Sequence, residues 1–151
     1  MDLKQSKMEK KQVKFNFLNT MLWLLQVVLA ITFLWGAYVK LFMPAEELAR
    51  MWPWTAGNAT LVKIAGVADT LAGIGIIIPR IFRIWPVLTI YACYGIILLM
   101  VAAIIFHVSR GEVSQLGINV AVIIMAGASI ILWKYLDLFN VTDEGESGKN
   151  G

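Results

Sequence analysis

Four long runs of apolar residues, at 18–42, 61–78, 85–106 and 116–136, restrict this chain more than anything else in its sequence. Each is long enough to cross about 30 Å of hydrocarbon as a helix that rises about 1.5 Å per residue. A helix of a soluble bundle carries a polar face at helical period, and "YGIILLMVAAIIF" (94–106) carries none. Charged residues make up 15% of the chain, against about 25% in soluble domains. The predicted fold class is all-α: an integral membrane four-helix transmembrane bundle over 18–136, with a basic tail (1–17) and a polar tail (137–151). The end of that polar tail, "VTDEGESGKNG", has the composition of a disordered segment. The second run is the least uniform, because it holds Lys63 and Asp69. Lys63 lies one turn inside the span and can snorkel to the headgroups.

The loops orient the spans. Lys4, Lys7, Lys10, Lys11 and Lys14 precede the first, and Arg80 and Arg83 sit in the turn between the second and third. The other two connections hold only Arg50 and Arg110, beside Glu46, Glu47 and Glu112. Lys and Arg are retained on the cytoplasmic side, so both termini are expected there, and the 43–60 and 107–115 loops outside. The net charge of +3 therefore reads as a topology signal, and no nucleic-acid partner is expected. The first run is too long for a cleaved signal peptide and no A-x-A site follows it.

The connections carry their own signals. In "IIIPRIFRIWP" (76–86), Pro79 is expected to end the second span and Pro86 to sit in the first turn of the third. "PAEELARMW" (44–52) reads as a short amphipathic helix with Leu48, Met51 and Trp52 toward the membrane. Trp52 and Trp54 fit an interfacial aromatic belt, and Asn58 or Thr60 a helix cap.

The chemistry-bearing residues are few. One cysteine, Cys93, excludes a C-x-x-C redox pair and an internal disulfide. One histidine, His107, with no Asp, Glu or Cys set at ligand spacing, leaves no metal site to expect. No phosphate loop and no G-x-S-x-G occur. What remains is polar residues inside the spans. Around Asp69, one helix face shows Ala65, Gly66, Ala72 and Gly73, and the opposite face Ile64, Val67, Leu71, Ile74 and Ile78. Small residues admit a neighbouring helix and large aliphatic ones suit lipid, so Asp69 points into the bundle. It lies roughly 12 Å along its span from Leu61. Lys40, His107, Gln115 and Asn119 belong to the same outer half, with Gln26 deeper. The expectation is an outward-facing polar pocket holding Asp69, with Lys40 and His107 as its charge partners. Plainer roles stay open: a snorkelling anchor for Lys40, a cap for His107, interhelical hydrogen bonds for Asn119 and Gln26, a belt for Tyr91 and Tyr94, and packing for Cys93.

Three stretches together resemble the DoxX-like membrane proteins. "WLLQVVLAITFLWGAYVKL" (23–41) is similar to their first span, "AGVADTLAGIGIIIPR" (65–80) to their second, and "AAIIFHVSRGE" (102–112) to the end of their third, with Asn119 in the fourth. Many members carry Glu where this chain has Asp69. The resemblance implies a multi-pass protein of a bacterial cytoplasmic (inner) membrane. It also implies a link to quinone or thiol redox complexes.

Two classes of function follow. In one, the chain is a membrane subunit or anchor of a quinone- or thiol-linked redox complex, with oxidoreductase partner subunits. It then contributes no cofactor of its own, a quinone being the implied ligand, and no catalytic motif. In the other, it is a small-solute transporter or binding protein acting as a homo-oligomer, or a structural scaffold. A vitamin K epoxide reductase-like activity needs the cysteine pair this chain lacks.

Overall fold

In hydrocarbon every backbone N–H and C=O must be satisfied within its own segment, which leaves an apolar run no alternative to a helix. The computed structural model describes residues 3–147 apart from Arg83 and Pro86. The side chains of Lys4, Gln115 and residues 139–147 lie outside the described set. Among the described residues five helices form: α1 (Leu3–Phe42), α2 (Ala45–Met51), α3 (Ala59–Ile81), α4 (Val87–Ser109) and α5 (Leu116–Ser147). Short 3₁₀ turns at Pro53–Thr55 and Val113–Gln115 join them. Among the described residues there is no strand. α1, α3, α4 and α5 are each long and apolar enough to cross a membrane. The chain is a four-span, all-α membrane bundle in contact with lipid.

The helices overrun several expected ends. α1 begins at Leu3, so the basic segment is helical rather than a separate tail. Leu, Lys, Gln, Met and Glu are good helix formers, and adding residues to an existing helix avoids the cost of nucleation. α5 continues through Ser147, where the composition favours disorder and Val, Thr, Asp, Gly and Ser are weak helix formers, because the helix is already nucleated. Residues 148–151 fall outside the described residues. Pro79 lies inside α3 and does not end it: the helix runs to Ile81, and Phe82 N still donates to the Ile78 carbonyl at 3.1 Å. A proline so near the C-terminus forfeits only one bond of the ladder. The roles expected of Arg83 and Pro86 lie outside the described residues.

α1 packs on α3 and α5, and α4 packs on α3 and α5, which makes a four-membered ring in chain order. α1 and α3 run antiparallel. Gly66 meets Leu41, Gly73 meets Leu34 and the Ala30 carbonyl, and Arg80 Nη2 donates to Asn19 Oδ1 at 2.6 Å. A Cβ on Gly66 or Gly73 would come within 2.8 Å of a leucine side chain. Lipid offers no hydrophobic drive for helix association, so this close approach is itself what holds the pair. The predicted lipid face of α3 is exposed at Ile64, Val67, Leu71, Ile74 and Ile78. Mid-bundle, Leu29, Ala30, Phe33, Ile76, Cys93, Ile96, Val122, Ala126 and Ile130 form the main core. A smaller cluster of Val39, Leu48 and Val62 fastens α2 to the end opposite the chain termini. Leu48 thus faces the bundle, not the membrane, because Val39 and Val62 offer it a dry surface.

Candidate functional site

Between the main core and the α2 segment, the four spans line a half-open chamber of about 700 Å³. α1 contributes Thr32, Phe33, Trp35, Gly36 and Lys40. α3 contributes Leu61, Ala65 and Asp69, and α4 Leu99, Met100, Ala102, Ala103, Phe106 and His107. α5 supplies Ile118, Asn119 and Val122, and Met51, Trp52 and Trp54 form the roof. A shallower hollow at residues 57–64 carries none of these ionisable groups.

Asp69 points inward and is 4% exposed. Its Oδ2 accepts a hydrogen bond from Lys40 Nζ, forming an ion pair between α1 and α3. Gly36 makes room for it, since a Cβ there would sit 3.1 Å from Asp69 Oδ2. Helical spacing puts Gly36 and Lys40 on one face of α1, so the chain presents a gap and a cation to the same carboxylate. Lys40 Nζ also lies 5.4 Å from the Trp52 ring centroid, within cation–π range. The charge partner expected of Asp69 is therefore present in Lys40.

His107 lines the chamber but pairs elsewhere. Its Nδ1 is 2.8 Å from Glu112 Oε2, and Arg110 Nε donates to Glu112 Oε1 at 2.8 Å. The backbone explains this. Gly111, at φ 72°, closes α4 by returning Gly111 N to the Val108 carbonyl and Glu112 N to the His107 carbonyl. This is the left-handed glycine stop of a helix, and it folds the Glu112 carboxylate back onto the ring. A carboxylate only accepts, so Nδ1 carries the proton. The bond from Arg110 first, and that from His107 second, hold the Glu112 carboxyl below the usual carboxylate range, against a smaller effect of desolvation.

Asn119 is buried in the chamber wall, and its Nδ2 has no hydrogen-bond partner among the described residues. Gln26 is fully buried with neither amide atom paired among the described residues, and it lies below the chamber rather than in its lining. The Gln115 side chain lies outside the described set. Among the described residues no three His, Cys, Asp or Glu side chains gather as a metal site would need.

The tryptophans are the main departure from the sequence reading. Trp52 and Trp54 turn in over the chamber rather than out to a belt. Trp52 packs edge-on against Trp35 at 5.9 Å between centroids, and Trp54 against Phe106 at 5.9 Å and His107 at 6.1 Å. Asn58, at the start of α3, holds this roof: its Nδ2 donates to the Trp54 carbonyl at 2.8 Å and does not cap the helix. Glu112 likewise emerges only from the fold. Its sole sequence signal is a carboxylate just beyond a glycine that follows a helix.

No curated protein and no solved structure matches the chain. The DoxX-like family matches it over residues 24–129. That stretch spans Lys40, Asp69, His107 and Asn119, most of the four membrane helices and the whole roof. The chain belongs to the DoxX-like family.

Proposed function

We propose that this protein is the membrane subunit of a quinone- or thiol-linked redox complex, and that its chamber receives the head group of a quinone-type carrier. The observation that carries the reading is a pair of hydrogen-bond donors in a largely apolar, aromatic-walled chamber. Asn119 Nδ2 is without a partner among the described residues, and the Lys40 ammonium keeps donors beyond the one it gives Asp69. A quinone head group is a flat ring with two carbonyl acceptors, which suits donors at Asn119 and Lys40 between walls of Trp35, Trp52 and Phe106. Such a carrier, when bound, supplies two-electron, two-proton chemistry. Asp69 and Lys40 then hold a proton beside it. Cys93 is buried in the core and does not line the chamber, so any thiol exchange falls to a partner subunit. The lysine distribution supports cytoplasmic termini and a chamber in the outer half of a bacterial inner membrane.

The test is to purify the protein from its own membranes into lipid nanodiscs and extract the bound small molecules. Co-purifying quinone together with a dehydrogenase or thiol-oxidising partner supports the reading. Saturable uptake of a polar solute by the isolated protein in vesicles, with no partner, contradicts it.

A further inference from the structure

We infer that the chamber is loaded sideways from the bilayer, through the flank between α1 and α5, by a lipid-dissolved amphiphile with an apolar body and a hydrogen-bond-accepting head. This deepens the reading above and rests on the chamber being a binding site, but not on the ligand being a redox carrier.

The aqueous face is roofed. Trp52 lies against Trp35 and over Lys40, and Trp54 lies against Phe106 and His107, so two indoles bridge the ring of helices on the side facing water. The flank is not closed in this way. Trp35 on α1 and Ile118 on α5 both line the chamber, yet they are 54% and 59% exposed. A side chain that is at once chamber wall and outer surface marks an edge where chamber and lipid meet, and of the large lining side chains these two are the most exposed, ahead of Met51 at 43% and Leu61 at 39%. Helix phase places this edge. Leu34 and Leu41 form the side of α1 that meets α3, whereas Trp35 stands about 60° around the helix from Lys14, which meets Tyr135 of α5. On α5, Ile118 stands about 100° around from the buried Asn119. Nearer the chain termini the α1–α5 seam is held shut, with Lys14 Nζ 5.3 Å from the Tyr135 ring centroid.

The charges select the ligand class. Lys40 is paired with Asp69, and His107 with Glu112. Glu112 is paired with Arg110 as well, so among the described residues no net charge is left to draw an ion from water, and the unsatisfied group in the wall is a neutral amide donor, Asn119 Nδ2. A volume of about 700 Å³ lies within the usual range of small-molecule sites.

The test uses a reporter thiol in the chamber wall, Ala103→Cys, in a Cys93→Ala background and in nanodiscs. Two reagents are compared: N-phenylmaleimide, which partitions into lipid, and a charged methanethiosulfonate, which stays in water. The maleimide is expected to react, and Ile118→Trp, which fills the flank, to slow it by about tenfold. Ala102→Trp, which fills the lining on the opposite flank, should slow it less than Ile118→Trp does. The charged reagent should react appreciably only once the roof is cut by Trp54→Ala. The inference is overturned if the charged reagent reaches the thiol under an intact roof as fast as the maleimide does. It is equally overturned if Ala102→Trp slows the maleimide and Ile118→Trp does not. Ala65→Cys, on the facing wall, repeats the measurement should Ala103→Cys fold poorly. Absence of quinone from the purified protein overturns the redox reading alone and leaves this route standing.

Discussion

Lys40→Met and Asp69→Leu, made singly and together, should not behave as independent changes. The side chains of Lys40 and Asp69 are 16% and 6% exposed, so each is largely removed from solvent by the other helix and the roof. Removing one partner of a buried pair costs about 3–5 kcal/mol, because a charge is left uncompensated. For Asp69 the cost has a ceiling. An unpaired carboxylate can take up a proton instead, and at pH 7 that costs about 1.4 kcal/mol per unit above its ordinary pKa near 3.9, roughly 4 kcal/mol in all. Lys40 has an easier escape, since it sits in the last turn of α1 and its long stem can carry the ammonium to the headgroups. Lys40→Met should therefore be the more damaging single change. It should lower the melting temperature in nanodiscs by roughly 6–15 °C, taking about 2–4 °C per kcal/mol for a chain of this size. The double variant, with apolar groups on both helices, should recover most of the loss. If Lys40→Met melts like the wild type, or if the double variant is worse than either single one, the pair does not hold α1 to α3.

Other outcomes follow from the same packing. Gly73→Val places a Cβ 2.8 Å from Leu34 and 3.3 Å from the Ala30 carbonyl, and should destabilise the α1–α3 pair by about 1–3 kcal/mol in thermal unfolding. Gly95→Ala, with nothing within 4 Å of the new Cβ, should instead stabilise by about 0.5–1 kcal/mol in the same assay, the helix-propensity advantage of Ala over Gly. The Glu112 carboxyl is held below its ordinary range by Arg110 and His107, so its contribution is present at neutral pH and lost as pH falls through that depressed value. Melting curves of the wild type and Glu112→Gln should therefore differ at pH 7 and converge as pH falls below the ordinary carboxylate range.

The spans and the direction of Asp69 were legible because they depend on local pattern. Runs of about twenty apolar residues have one solution in lipid. The alternation of Gly and Ala with Ile and Leu around Asp69 distinguishes the packed face of its helix from the lipid face. The roof was not legible. A tryptophan near a membrane surface suits a belt or a chamber lid equally, and only the Val39–Leu48–Val62 contact, between three separate helices, turns the α2 segment inward. The partner of His107 was hidden for a similar reason. Asp69 and Glu112 are both acids on the same side of the bundle, and the choice between them is made by the glycine stop at Gly111, a feature of backbone geometry. Helix ends were the least legible, because neither Pro79 nor the polar tails interrupt a helix already formed.

The central claim is that the chamber binds an acceptor-bearing amphiphile of the quinone class through Asn119 and Lys40. The most direct measurement is the affinity of a short-chain quinone for the purified protein in nanodiscs, compared with that for Asn119→Leu. The account predicts saturable binding by the wild type. It predicts weakening by about fivefold or more in Asn119→Leu, the loss of a hydrogen bond of about 1 kcal/mol. Equal affinity in the two proteins, or no saturable binding by the wild type, would contradict it.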